Sequence, residues 1–189
     1  MTDPFATLHQ PRRPWLDLVA LKDQFHALTA RHHPDTQGGD NDVFAAITRA
    51  YKDLTDPGIR LKRLLELEYP ETFDEPAEIA PSLASRFMEI ATLRRELDVY
   101  LQQQPEATTA LTKALQASER FSMKMDLEKA LTSLQVEYDR ALQLLMAEDE
   151  IWETRTVSTG IRLSRLASEF AYLGKWIGQL REGLLRLDT

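Results

Sequence analysis

Leu28-Thr29-Ala30-Arg31-His32-His33-Pro34-Asp35-Thr36-Gln37-Gly38-Gly39-Asp40 joins two helical patterns. Upstream, Leu21, Phe25, Leu28 and His32 recur at intervals of 4, 3 and 4, which is one face of an α-helix. Asp17 is placed to cap that helix, with Pro14 and Trp15 leading in. Proline pushes the residue before it out of the helical region, so the helix breaks at His33. Downstream, Phe44, Ile47, Tyr51 and Leu54 recur at intervals of 3, 4 and 3. Gly38-Gly39-Asp40 supplies a loop and a cap, and Asp56-Pro57-Gly58 ends the pattern. The spacing predicts helices over 17–32 and 40–54 that pack antiparallel, each too short to be stable alone. Phe5 and Leu8 are predicted to close the bottom of the pair. Leu61, Leu64, Leu65 and Leu67 mark a short further helix over 60–67. At the tip, proline fixes the backbone, and His33 and Asp35 project beside the mouth of the hairpin. A carboxylate held there suits an arginine on another protein.

The rest of the chain is helical in its periodicity too, with no alternating β-branched run, so an all-α fold is predicted. Three longer helices are expected over 82–104, within 106–153 and over 160–187, the second with a break near Ser118 to Ser122. The second carries Leu127, Leu131, Leu134, Tyr138, Leu142 and Leu145. The third carries Leu163, Leu166, Phe170, Leu173, Ile177, Leu180, Leu184 and Leu187 in an unbroken heptad rhythm. An antiparallel three-helix bundle is the simplest closure, with self-association through the third helix as the competing use. Residues 69–82 hold three prolines and a run of acids, which is linker chemistry. Charge shifts there: residues 1–70 carry 9 basic and 10 acidic side chains, residues 71–189 carry 14 and 20. The expected domains are 1–68, a linker over 69–82, and a bundle over 83–189.

Composition narrows the function. With 43% hydrophobic and 28% charged residues among 189, the chain is globular rather than disordered. A net charge of −7 argues against non-specific nucleic-acid binding. No apolar run approaches the ~20 residues of a membrane span, and no leader is visible, so a cytoplasmic protein is expected. The absence of cysteine removes disulfides, thiol catalysis and thiolate metal ligation. Nothing near the hairpin tip completes a catalytic triad, so neither enzymatic activity nor a cofactor is expected. His26, His32, His33 and Asp35 are weighed as a metal site, but adjacent histidines on a helix point about 100° apart, and no metal is expected. Glu148-Asp149-Glu150 and Glu153 read as a solvated helix end, and Arg12-Arg13 and Arg60-Lys62-Arg63 as solvated basic clusters. Trp152, Tyr172 and Trp176 read as bundle core. Tyr172 and Trp176, one turn apart, could instead present an aromatic patch to a client.

Three features together, Phe5-Ala6-Thr7-Leu8, His33-Pro34-Asp35 and Ala50-Tyr51-Lys52-Asp53-Leu54-Thr55-Asp56-Pro57, resemble a J-domain over the first 70 residues. The resemblance implies docking on a DnaK-type chaperone and stimulation of its ATP hydrolysis, with His33, Pro34 and Asp35 indispensable. Lys22, His26 and Arg31 would be the basic face of the helix before the tripeptide. Thr36 departs from the lysine common at that position. Some residues of the two basic clusters would join the docking surface.

Beyond the linker, Phe87-Met88-Glu89-Ile90-Ala91-Thr92-Leu93-Arg94-Arg95-Glu96-Leu97 is similar to a stretch of HscB-type co-chaperones. These deliver an iron–sulfur scaffold protein to a dedicated HscA-type chaperone. The resemblance implies a client surface on Phe87, Met88, Ala91, Thr92 and Arg95, with Tyr172 at an aromatic position of the last helix. Ala91, Thr92 and Arg95 depart from an expected leucine and two glutamates. The alternative keeps the J-domain and makes the bundle a homodimerising module or the holder of a different client.

Overall fold

A computed structural model describes residues 3–35, 40–70, 81–103, 109–154 and 156–188. The elements are α1 (Pro4–Thr7), α2 (Leu18–His32), α3 (Asn41–Thr55), α4 (Pro57–Glu68), α5 (Pro81–Gln102), α6 (Ala110–Glu150), a 3-10 turn (Trp152–Thr154) and α7 (Val157–Asp188). The fold is all-α, with no strand among the described residues.

Aspartates start the first four helices. Asp3, Asp17, Asp40 and Asp56 each accept hydrogen bonds from backbone N–H groups of the first turn. Each satisfies donors that no earlier turn can reach. Asp56 also closes α3, with Pro57 at the first position of α4. Asp56-Pro57-Gly58 is therefore a hand-over between helices, and α4 begins at Pro57 rather than near Arg60, because proline at that position loses no hydrogen bond. The same Asp-Pro signal at Asp3-Pro4 builds α1, a turn the apolar periodicity does not reveal.

Contacts divide the chain into two compact units, Met1–Glu78 with Ala141–Ala171, and Ile79–Arg140 with Tyr172–Thr189. In the first unit Phe5, Leu8, Leu21, Ile47, Leu54, Leu61 and Leu64 are buried. Phe25 and Tyr51 stack with centroids 4.1 Å apart, and His33 meets Phe44 edge-on at 5.5 Å, which sets α2 and α3 antiparallel. Residues 141–171, predicted from sequence within the bundle, group with the N-terminal residues instead. The Trp152 ring N–H donates to the Arg12 carbonyl at 2.8 Å. A Cβ on Gly58 would lie 3.2 Å from Phe170 Cβ, and one on Gly160 would lie 3.0 Å from the Tyr69 ring. Trp152 is thus core of this unit and not of the bundle.

Three charged groups expected at the solvated surface are tied down instead. Arg60 is 2% exposed; its Nε donates to the Pro14 carbonyl at 2.9 Å and its NH1 to the Leu54 carbonyl at 2.7 Å. It ties chain segments together and offers nothing to solvent. Arg12 pairs with Asp3 and Glu68, Arg13 with Asp149, and Arg63 with Asp53 and Glu66. The acidic run is not a solvated end: Asp149 is buried against Arg13, and Glu148 holds Arg162. These side chains find opposite charges from distant segments, which local sequence cannot show.

The second unit is a three-helix bundle. Arg86 reaches Glu137 while Tyr100 meets the Gln116 carbonyl, so α5 and α6 run antiparallel. Lys124–Asp188 at 3.0 Å fixes α6 against α7, and Asp98–Arg186 at 2.9 Å fixes α5 beside α7. Ile90, Leu97, Leu127, Leu134, Leu173, Trp176, Ile177, Leu180 and Leu187 form its core. No break interrupts α6 at Ser118 to Ser122, because a serine on a helix surface costs only a few tenths of a kcal/mol of propensity. The α7 heptad residues are buried or half-buried within the chain's own units.

Candidate functional site

The first candidate surface is the end of the α2–α3 pair. His33 caps α2 with φ −58° and ψ 133°, outside the helical region, as the following proline requires. The His33 Nδ1 accepts the Asp35 backbone N–H at 3.3 Å and lies 3.6 Å from an Asp35 carboxylate oxygen. In the neutral ring this leaves the proton on Nε2. Asp35 is more open than His33, its side chain 88% exposed against 47%. The tripeptide is thus a stiff turn, with His33 braced against Phe44 and a carboxylate displayed in water. It presents an exposed anion of the kind that pairs with a guanidinium.

Of the basic residues expected beside it, Lys22 and His26 are exposed and one turn apart on α2. Arg31 is exposed but lies five residues past His26, about 140° around the helix, so it does not join them. Thr36 lies outside the described residues, as does most of the expected linker, 71–80.

The second candidate surface is on the bundle unit. Phe87 and Met88 are exposed at 55% and 64%, although Phe87 falls within the apolar rhythm of α5. With Leu83, Ala84, Tyr172 and Trp176 they line an apolar groove of about 370 Å³ between α5 and α7. The Tyr172 and Trp176 rings lie 5.7 Å apart at 32°. Trp176 is 3% exposed, so it is the floor, while Tyr172 is half-buried at the wall. Met88 also borders a larger, more polar groove of about 540 Å³, which contains Thr92, Leu93, Lys129 and Ser133. Ala91 and Arg95 are exposed on α5, one and two turns beyond Phe87 and Met88. Phe87, Met88 and Tyr172 therefore converge, Thr92 faces the neighbouring groove, and Ala91 and Arg95 extend the α5 rim. Leu83 and Ala84 complete the walls; the spacing of Leu83 and Phe87 was the available signal for the first.

Arg86 lines the more polar groove. It donates to Glu137, Glu89 and Ser133, and the Glu137 hydrogen bond, then that to Glu89, raises its guanidinium above the ordinary arginine value. It remains a fixed cation that pins α5 to α6 beside the exposed Phe87 and Met88.

The architecture has a counterpart among solved structures. The chain is similar to a structure titled Chaperone HscB from Vibrio cholerae, at 21% identity over 96% of both chains, with a TM-score of 0.55. That likeness is one of fold. No protein-family model matches the chain, and no curated protein matches it. Among the described residues no helix is long and apolar enough to cross a membrane.

Proposed function

We propose that this chain is a J-type co-chaperone of the HscB kind. His33-Pro34-Asp35 docks on a DnaK/HscA-type chaperone and stimulates its ATP hydrolysis, with Lys22 and His26 completing the contact. Residues 1–68 form the J-domain and 69–82 the connection. The bundle unit, residues 79–140 with 172–189, carries the client in the groove of Phe87, Met88 and Tyr172. The client is an iron–sulfur scaffold protein, and the chain has no catalytic chemistry of its own. The observation that carries this reading is the exposed Asp35 carboxylate on a proline-stiffened corner, in a fold similar to an HscB chaperone over nearly its whole length.

The test is single-turnover ATP hydrolysis by the partner chaperone with and without this protein. Asp35→Asn is expected to abolish stimulation and leave the thermal transition unchanged. Full stimulation by that variant would end the proposal. Thr92 and Arg95, where the resemblance expects acids, favour a second reading for the client alone: a protein whose docking segment is less basic than the scaffold's. Binding of the scaffold at higher affinity to Thr92→Glu/Arg95→Glu than to the native chain would support it.

A further inference from the structure

The outward face of α6 carries apolar side chains where a solvated helix carries charge. Leu111 is 69% exposed, Val136 64%, and Phe121, at their flank, 67%; Leu115 and Met125 are exposed as well. At 100° per residue Leu111, Phe121, Met125 and Val136 lie on the side away from the buried Leu127, Ala130 and Leu134, with Leu115 about a quarter-turn from those buried residues. The full seam is Leu111, Leu115, Ser118, Ser122, Met125, Lys129, Thr132 and Val136. Its intervals alternate 4 and 3, the rhythm that keeps side chains on one line along a helix pair.

The seam is also palindromic. Turned end for end about the point between Met123 and Lys124, Leu111 falls on Val136, Leu115 on Thr132, Ser118 on Lys129 and Ser122 on Met125. Short side chains meet long ones at the centre, and carbon meets carbon at the ends. Lys129 is the one charged member. In this pairing it comes opposite Ser118 and beside Glu119 of the other helix, which the same turn sets against the acids Glu128 and Asp126, so Lys129 is the cation that offsets a cluster of acids. We propose that this seam docks antiparallel on the same seam of a second copy of the chain, with the twofold axis between Met123 and Lys124. The third-helix seam, the competing candidate for self-association, is already buried or half-buried, whereas this one is open.

Twenty-six residues give a strip ~38 Å long and ~10 Å wide, or roughly 800 Å² over both copies. That is the size of a weak, exchanging interface, so the dimer is expected to form between about 1 µM and about 1 mM. The chain has no native cysteine, so a single introduced one reports on one distance. Ser122→Cys would lie ~4.5 Å along the axis from its mate, and Leu111→Cys ~38 Å from its own. Under mild oxidation the full chain is expected to cross-link at Ser122→Cys and not at Leu111→Cys. Cross-linking at both would mean parallel pairing, and at neither would mean no pairing on this face; either result overturns the proposal. Sedimentation equilibrium of Lys129→Glu is expected to show self-association at least tenfold weaker, restored in Lys129→Glu/Glu119→Lys. A monomeric mass for the native chain throughout the concentration range would overturn it as well.

Discussion

Arg13 grips both carboxylate oxygens of Asp149, a partner 136 residues away in sequence. The same Asp149 accepts the Trp15 backbone N–H at 3.0 Å, and three residues later Trp152 donates to the Arg12 carbonyl. Residues 12–15 are thereby stitched to residues 149–152. Asp149→Ala strands a backbone donor and a guanidinium together, and is expected to cost about 2–3 kcal/mol in urea unfolding. A double-mutant cycle with Arg13→Ala should give a coupling of about 1–2 kcal/mol. The Asp149 hydrogen bonds raise the Arg13 guanidinium above its ordinary value. A raised folded pKa means the contribution is complete below the unfolded arginine pKa. On the alkaline side the cycle should therefore show no loss of coupling up to about pH 11.

Arg60 is predicted to be a stability residue. Two carbonyls, those of Pro14 and Leu54, depend on its buried guanidinium. Arg60→Met fills similar volume yet leaves both acceptors dry, so a loss of about 3 kcal/mol is expected. Arg60→Lys should recover little, since an ammonium cannot reproduce the fork geometry. Urea midpoints of the two variants check this. A midpoint for Arg60→Met within about 0.5 kcal/mol of native would show the carbonyls to be satisfied without it.

Helices α2 and α3 were legible because their signals are local. Leu21 and Phe25, Ile47 and Leu54 keep helical intervals, and Asp17 and Asp40 sit where caps belong. Pro34 announces its own break. Arg60 was misread although it is one turn before Leu64, on the buried side of α4, because an arginine is a surface residue by default. The acidic run at Glu148 was misread for a related reason: its partners, Arg13 and Arg162, are set by tertiary packing. The place of the tip tripeptide at the end of α2 was legible because Pro34 dictates it. The groove was found only in part, since which of the α5 apolar residues stay outside depends on where α7 ends up. Phe87 follows the same rhythm as Ile90 and yet is exposed.

Helix α7 holds two glycines with open space around them. A Cβ at Gly174 or Gly178 meets nothing within 4 Å, whereas one at Gly58 meets Phe170 Cβ and the Ala167 carbonyl, neither of which can swing aside. Alanine lowers the cost of ordering a helix by up to about 1 kcal/mol relative to glycine. Gly174→Ala and Gly178→Ala should each stabilise the protein by about 0.5–1 kcal/mol, and Gly58→Ala should destabilise it despite its helical position. Differential scanning calorimetry of the three variants separates the two terms, and stabilisation by Gly58→Ala would show that α4 has room to retreat.

Phe87 and Trp176 share one groove but differ in what they support. Phe87 stands 55% exposed on its rim, and Trp176 lies 3% exposed in the bundle core beneath. Removing the rim ring leaves the folded state's packing almost untouched, so Phe87→Ala should shift stability by no more than about 0.5 kcal/mol. Removing the floor opens a cavity and should cost about 3–5 kcal/mol. If the groove takes a client, an exposed aromatic at its edge is what an apolar segment would cover first. Phe87→Ala should then weaken client binding by about tenfold, with Met88→Ala close behind. Titration calorimetry against the scaffold protein, paired with urea melts of the same preparations, reads both quantities. Loss of binding without loss of stability at Phe87 marks a recognition surface, because a merely structural ring would lose both in proportion.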